Sequence, residues 1–177
     1  MSKGAKVGRS KRAGAGPQAP WNPSIVVFAC NWCSYAGADT AGVSRIQHQP
    51  HFRMIRVMCS GRIQPGFVLR AFERGADGVL VSGCHLGDCH YVFGNERAVE
   101  QFERTMNMVK LLGLESGRLR LEWVSAAEGA RFAQVINEFT DQVRALGPSP
   151  FARLGARVAP SPEPEASALE QGATTGA

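Results

Sequence analysis

A chain of 177 residues and 19.0 kDa, 44% hydrophobic and 20% charged, has the make-up of one soluble globular domain and argues against wholesale disorder. No apolar run approaches the roughly 20 residues that cross a bilayer, and no apolar stretch of secretory type follows the basic start, so a cytoplasmic chain without membrane insertion is expected. The pI of about 9.2 suggests nucleic acid until the charge is located: Lys3, Lys6, Arg9, Lys11 and Arg12 carry the excess, while residues 24–147 hold 13 basic and 12 acidic side chains and no basic helix interleaved with aromatics, so no nucleic-acid partner is expected.

Residues 1–23 are rich in Gly, Ala, Lys and Pro without a hydrophobic period, and predict a disordered basic tail. The body runs over 24–147. Its first strand is Ile25–Ala29, followed by small and apolar residues in a helical rhythm over Ser34–Gln47. A second strand is expected over Met54–Met58, and Pro65 opens a helix to Arg74, since proline suits a first helical turn. Gly75 and Gly78 bracket the turn into a third strand, Val79–Ser82. A longer loop, Gly83–Gly94, then leads to an amphipathic helix from Asn95 to Leu112, with Gly113 as its C-cap. A fourth strand over Leu119–Val124 precedes a last helix to Leu146, for which Ser125 and Glu128 read as a capping box. Residues 148–177 hold five of the ten prolines and predict a second disordered tail, Pro/Ala-rich. Strands alternating with helices give an α/β fold: three layers, doubly wound, on a mostly parallel four-stranded sheet whose strand order is not legible.

Five cysteines sit in three clusters, each just after a strand-like run. Cys30 and Cys33 form a C-x2-C pair, Cys59 stands alone, and Cys84 and Cys89 form a C-x4-C pair. Right-handed crossovers place every β-to-α loop on one sheet edge, so all five sulfurs are expected there. An odd number of cysteines in a reducing compartment favours metal binding or redox chemistry over structural disulfides. Three readings meet these sulfurs. Two-iron clusters need four thiolates, and spacings of two and four recur in ferredoxin-type ligand sets. A structural zinc site of four cysteines is a second reading. A thiol–disulfide centre at Cys30 and Cys33 is the third, and leaves Cys59, Cys84 and Cys89 without a role. Cys33 is expected at a helix N-terminus, where the dipole favours thiolate. His85 and His90 line the loop or hydrogen-bond a sulfur, Trp32 lies between the paired cysteines, and Arg62 is close enough in sequence to Cys59 to offset charge. His48 and His51, either side of Pro50, are expected at the surface. No dinucleotide or P-loop glycine motif follows a strand, and no Ser–His–Asp or paired-carboxylate arrangement stands out.

The segments Cys30-Asn31-Trp32-Cys33-Ser34-Tyr35-Ala36-Gly37-Ala38-Asp39, Arg56-Val57-Met58-Cys59-Ser60-Gly61-Arg62 and Gly83-Cys84-His85-Leu86-Gly87-Asp88-Cys89-His90-Tyr91 resemble the delta subunit of methyl-viologen-reducing (F420-non-reducing) hydrogenase. Gly75-Ala76-Asp77-Gly78-Val79 and Trp123-Val124-Ser125-Ala126 fit as well, and the likeness runs from about Ile25 to Val143. It implies an iron–sulfur electron-transfer subunit carrying a 2Fe-2S cluster. Such subunits pass electrons between a nickel–iron hydrogenase, or another input module such as formate dehydrogenase, and the flavin-containing A subunit of heterodisulfide reductase-type complexes. The chain is then non-catalytic by itself. The candidate ligands are Cys30, Cys33, Cys59, Cys84 and Cys89, with the two paired motifs the simplest set of four and Cys59 able to replace a member.

Overall fold

The computed structural model describes residues 21–152. The two expected tails lie outside the described residues, apart from 21–23 and 148–152. Four strands, β1 (Ile25–Cys30), β2 (Phe52–Val57), β3 (Gly78–Gly83) and β4 (Leu119–Trp123), alternate with four helices, α1 (Ser34–Val43), α2 (Pro65–Glu73), α3 (Gly94–Leu111) and α4 (Gly129–Leu146). The sheet is parallel throughout, in the order β2-β1-β3-β4. The α/β class and the doubly wound build expected from the sequence are therefore what the chain adopts.

Two apolar layers lie on opposite faces of the sheet, and strand alternation decides which side chain enters which. Ile25, Val27, Ala29 and Leu80 join Phe132, Ile136, Phe139 and Val143 of α4 on one face. Phe28, Val79 and Val81 join Val68 and Phe72 of α2 and Val109 of α3 on the other. β3 is buried along its whole length, because it has a strand on each side and helices above and below. Each such Val or Leu contributes roughly 1.5–3 kcal/mol of burial, which makes β1 and β3 the rigid centre.

The boundaries shift where tertiary pairing overrides local pattern. β2 starts two residues before the expected Met54, because it pairs with β1 from Ile25–Phe52 to Cys30–Val57. It is an edge strand with Arg53, Ile55 and Arg56 exposed, which blurs the hydrophobic alternation. α1 ends at Val43 rather than Gln47, and Arg45 follows in a left-handed conformation (φ 56). α4 starts at Gly129, later than the Ser125–Glu128 box predicts. Only half of that box forms: the Glu128 carboxylate accepts a hydrogen bond from the Ser125 N–H at 2.7 Å. The ordered chain runs past 147, since Ser149 is buried and donates its N–H to Asp77, and Phe151 packs on the α2–α3 face.

The order β2-β1-β3-β4 puts a topological switch point between β1 and β3. The connection from β1 leads outward to β2, and the connection from β2 returns across the sheet to β3. Adjacent loops leave in opposite directions there and open a crevice at the carboxyl ends of the strands.

Candidate metal centre

Two of the three cysteine clusters flank that crevice. Cys30 ends β1, Cys33 is the N-cap of α1, and Cys84 directly follows β3. Their sulfurs lie within 4.8 Å of one another, and all three residues are buried, at 1%, 6% and 3% exposure. Cys30 Sγ stands 3.8 Å from Cys84 Sγ and the same distance from the Met58 carbonyl, to which its thiol donates. Cys33 and Cys84 are in direct sulfur contact, with Cα atoms 5.4 Å apart. The pair in bonding contact is thus not the C-x2-C pair Cys30/Cys33 that the thiol–disulfide reading singled out.

Cys59 and Cys89 form a second sulfur pair on the same edge. Cys59 ends the loop after β2 and Cys89 lies in the long loop between β3 and α3. Gly94, the first residue of α3, lies against both, because a Cβ there would collide with Cys59 Sγ and approach Cys89 Sγ to 3.0 Å. A Cβ on Gly61 would collide in turn with the Gly94 carbonyl, so both positions require glycine if the loops are to close on the sulfurs. Burial pushes the Cys59 thiol up, partly opposed by the Gly61 N–H, and the neighbouring Cys89 and Cys30 sulfurs push it further in the same direction. Burial also raises Cys89, but N–H groups of Tyr91, Asn95 and Gly94 and the Cys59 side chain outweigh it and hold this thiol below the ordinary cysteine value.

The loop over the edge is fastened by residues that spacing did not single out. Asn95 is fully buried, and its Nδ2 donates to the carbonyls of His85 (2.6 Å) and Cys84 (3.4 Å) while its Oδ1 accepts from the Glu96 N–H. His85 Nε2 is 2.7 Å from the Glu128 carboxylate rather than bonded to a sulfur. The Ser125 N–H first, and then His85, hold the Glu128 carboxyl down at about 2. His90 stacks on Trp32 with centroids 3.9 Å apart, and Trp32 Nε1 donates to the Tyr91 hydroxyl at 3.4 Å. This stack ties the C-x2-C turn to the long loop. Arg62 is exposed, whereas His48 is half-buried with its ring against Phe52 and Phe132 instead of free at the surface. The buried hydroxyls of Ser60 and Ser82, one residue after Cys59 and two before Cys84, have no partner among the described residues.

The donor set suits a soft metal ion or a cluster. Every candidate ligand is a sulfur; three are packed together and buried, and the other two, Cys59 and Cys89, stand together against Gly94 and are not members of that three-sulfur group. Thiolate-only sites select zinc or iron–sulfur clusters over hard cations.

Comparison with known proteins narrows this. Residues 25–147 match the family model described as methyl-viologen-reducing hydrogenase, delta subunit. The chain is 52% identical over 128 residues to the D subunit, the vhc iron-sulfur subunit, of the F420-non-reducing hydrogenase of Methanococcus voltae, an alignment spanning 72% of this chain and 89% of that protein. It is 50% identical over 133 residues to the iron-sulfur D subunit of the F420-non-reducing hydrogenase of Archaeoglobus profundus, covering 75% and 97%. It is also 51% identical over 126 residues to the A subunit of the ferredoxin/F420H2-dependent CoB-CoM heterodisulfide reductase of Methanosarcina acetivorans, where the match spans 71% of this chain but only 16% of the relative. The chain belongs to the family of methyl-viologen-reducing hydrogenase delta subunits.

Proposed function

We infer that the chain is an iron–sulfur electron-transfer subunit of a hydrogenase- and heterodisulfide reductase-type assembly, holding one 2Fe-2S cluster at the β1–β3 switch point. The observation that carries this is the convergence of the Cys30, Cys33 and Cys84 sulfurs, buried within 4.8 Å of one another, with the Cys59–Cys89 pair on the same sheet edge. The names of relatives at about half identity supply the iron–sulfur part of the reading. Cys30, Cys33 and Cys84 are three ligands and the fourth comes from the Cys59–Cys89 pair. A bound cluster would supply a one-electron carrier, and the redox chemistry would be its own.

The chain's part is positioning and exclusion. β1 and β3 hold two loops at fixed separation, because their register is locked from Ile25–Gly78 to Ala29–Ser82. Cys33 sits at the N-cap of α1, and the N–H groups around the start of α3 hold Cys89 below the ordinary cysteine value. The long loop, pinned by Asn95 and by the Trp32–His90 stack, covers the sulfurs and limits water. Electrons would enter from hydrogenase subunits, or from an input module such as formate dehydrogenase, and leave to a heterodisulfide reductase A-like flavoprotein. Among the described residues no helix is long and apolar enough to cross a membrane, and the proposed work is cytoplasmic.

Anaerobically purified protein is expected to be brown, with iron and acid-labile sulfide in equal amounts and an electron paramagnetic resonance signal on reduction. Replacing Cys30, Cys33 or Cys84 by serine should abolish iron retention, whereas only one of Cys59→Ser and Cys89→Ser should do so. Colourless protein holding zinc, made with iron in excess, would show the structural-zinc alternative to be right. The contact between Cys33 and Cys84 favours a thiol–disulfide centre as a second reading. That reading requires iron-free protein in which these two thiols interconvert with a disulfide under a mild reductant.

A further inference from the structure

Ser82, two residues before Cys84, is 1% exposed, and its Oγ has no partner among the described residues. A hydroxyl left unpaired away from water costs free energy, whereas alanine would fill the same place without that cost. A buried serine in this state calls for an acceptor, and redox sites are one of the few settings in which such groups persist.

The surroundings of Ser82 remove the ordinary acceptors one by one. Strand alternation puts it on the face of β3 that carries Leu80, the face covered by α1 and α4. On one side its register partner is Ala29, which offers only a methyl group. On the other it is Glu122, whose two carboxylate oxygens accept from Arg120 and Arg131 at 2.7 and 2.9 Å. Behind it on the same face stands Leu80. The remaining direction is forward along the strand, where Cys84 meets Cys33 and its sulfur lies 3.8 Å from that of Cys30. Ser60, the other hydroxyl without a partner, is placed differently. It lines a cavity of about 10 Å3 together with Thr105, where one water would satisfy both hydroxyls.

We propose that the Ser82 hydroxyl donates a hydrogen bond to a sulfur of the metal centre and thereby raises its reduction potential. This rests on the iron–sulfur reading above and adds to it the side chain that tunes the carrier. Hydrogen bonds to cluster sulfurs are one of the terms that set such potentials. A donor of this kind stabilises most the form with the greater negative charge, which is the reduced one. On reduction the centre takes up one electron from an external donor, no bond breaks, and the proton stays on Ser82.

The test uses the full chain loaded anaerobically with iron and sulfide, titrated with dithionite and followed by electron paramagnetic resonance. Ser82→Ala should hold iron and sulfide at the wild-type level. Its ratio of reduced to oxidised centre at a fixed potential should fall about tenfold, a lowering of about 59 mV for a one-electron couple. In deuterium oxide the reduced centre of this variant should lack one exchangeable deuteron coupling that the wild type shows. The iron-free Ser82→Ala chain should melt at the same temperature or higher, because an unpaired hydroxyl has been removed. Ser82→Thr keeps the hydroxyl and should keep the wild-type potential. Thr140→Val, which removes an equally buried hydroxyl from α4, should also leave the potential in place. A wild-type potential in Ser82→Ala, with iron retained, would overturn the proposal, give the hydroxyl to a buried water and leave the cluster reading standing. An equal fall in Ser82→Thr and Ser82→Ala would overturn it too, since packing rather than the hydroxyl would then set the potential. A wild-type chain that takes up no iron would overturn the cluster reading itself, and the proposal with it.

Discussion

The two ends of the sheet solve opposite problems with the same backbone. At the amino end Arg118 is fully buried, and its guanidinium donates to the carbonyls of Asp77, Leu146, Gly147 and Pro148 and to the Glu115 carboxylate. The Asp77 carboxylate there accepts from the Ser24 and Ser149 N–H groups. Charge, helix end and the segments at Ser24 and Ser149 satisfy one another there. The carboxyl end carries five sulfurs, two buried hydroxyls without a partner among the described residues, and aromatic side chains facing solvent. The two hydroxyls without a partner among the described residues, Ser60 and Ser82, flank sulfurs that suit a soft metal or cluster. The buried ionic clamp and the proposed metal centre thus lie at opposite edges of the sheet, joined by β1 and β3.

Three substitutions put that contrast to the test. The largest effect on folding is expected from Arg118→Met, which strips four carbonyls, that of Asp77 buried, of a fully buried donor and should cost about 3 kcal/mol or more in denaturant unfolding. Iron per folded chain should stay the same, because the clamp is at the far edge. If iron fell in proportion to stability, the two edges would not be separable. Gly94→Ala should do the reverse. Its methyl group would displace the Cys59 and Cys89 sulfurs, an overpacking worth about 1–3 kcal/mol, and iron retention should fall well before the fold fails. Retention at the wild-type level would mean that neither of these sulfurs is tightly held. The smallest effect is that of Glu128→Gln. The carboxyl is held at about 2, below its unfolded value, so its contribution to stability is present above about pH 4.5 and is lost as the pH falls toward 2. The melting-temperature difference between wild type and variant should accordingly be greatest at neutral pH, small because the pair is exposed, and vanish near pH 2.

The cysteine positions and their place on one edge were legible because each cluster follows an apolar strand-like run, and parallel strands joined by right-handed crossovers have a single loop-bearing end. The edge strand β2 was read two residues late, since Arg53, Ile55 and Arg56 interrupt its alternation and only pairing with β1 fixes its start. Asn95 and the His85–Glu128 pair were not seen in these roles, because His85 and Glu128 lie 43 residues apart and no local pattern links them. Val92 carried no signal at all: its left-handed conformation belongs to the turn, not to the residue type.

The alternation of strands and helices, the chemistry of an all-sulfur donor set and the family are written in the chain itself, since period, composition and motif are local properties. Which sulfurs meet is not local. Strand order is set by how two apolar layers pack on a sheet, and it was this order that set β1 beside β3, brought Cys30 and Cys33 against Cys84, and left Cys59 and Cys89 to pair with each other against Gly94.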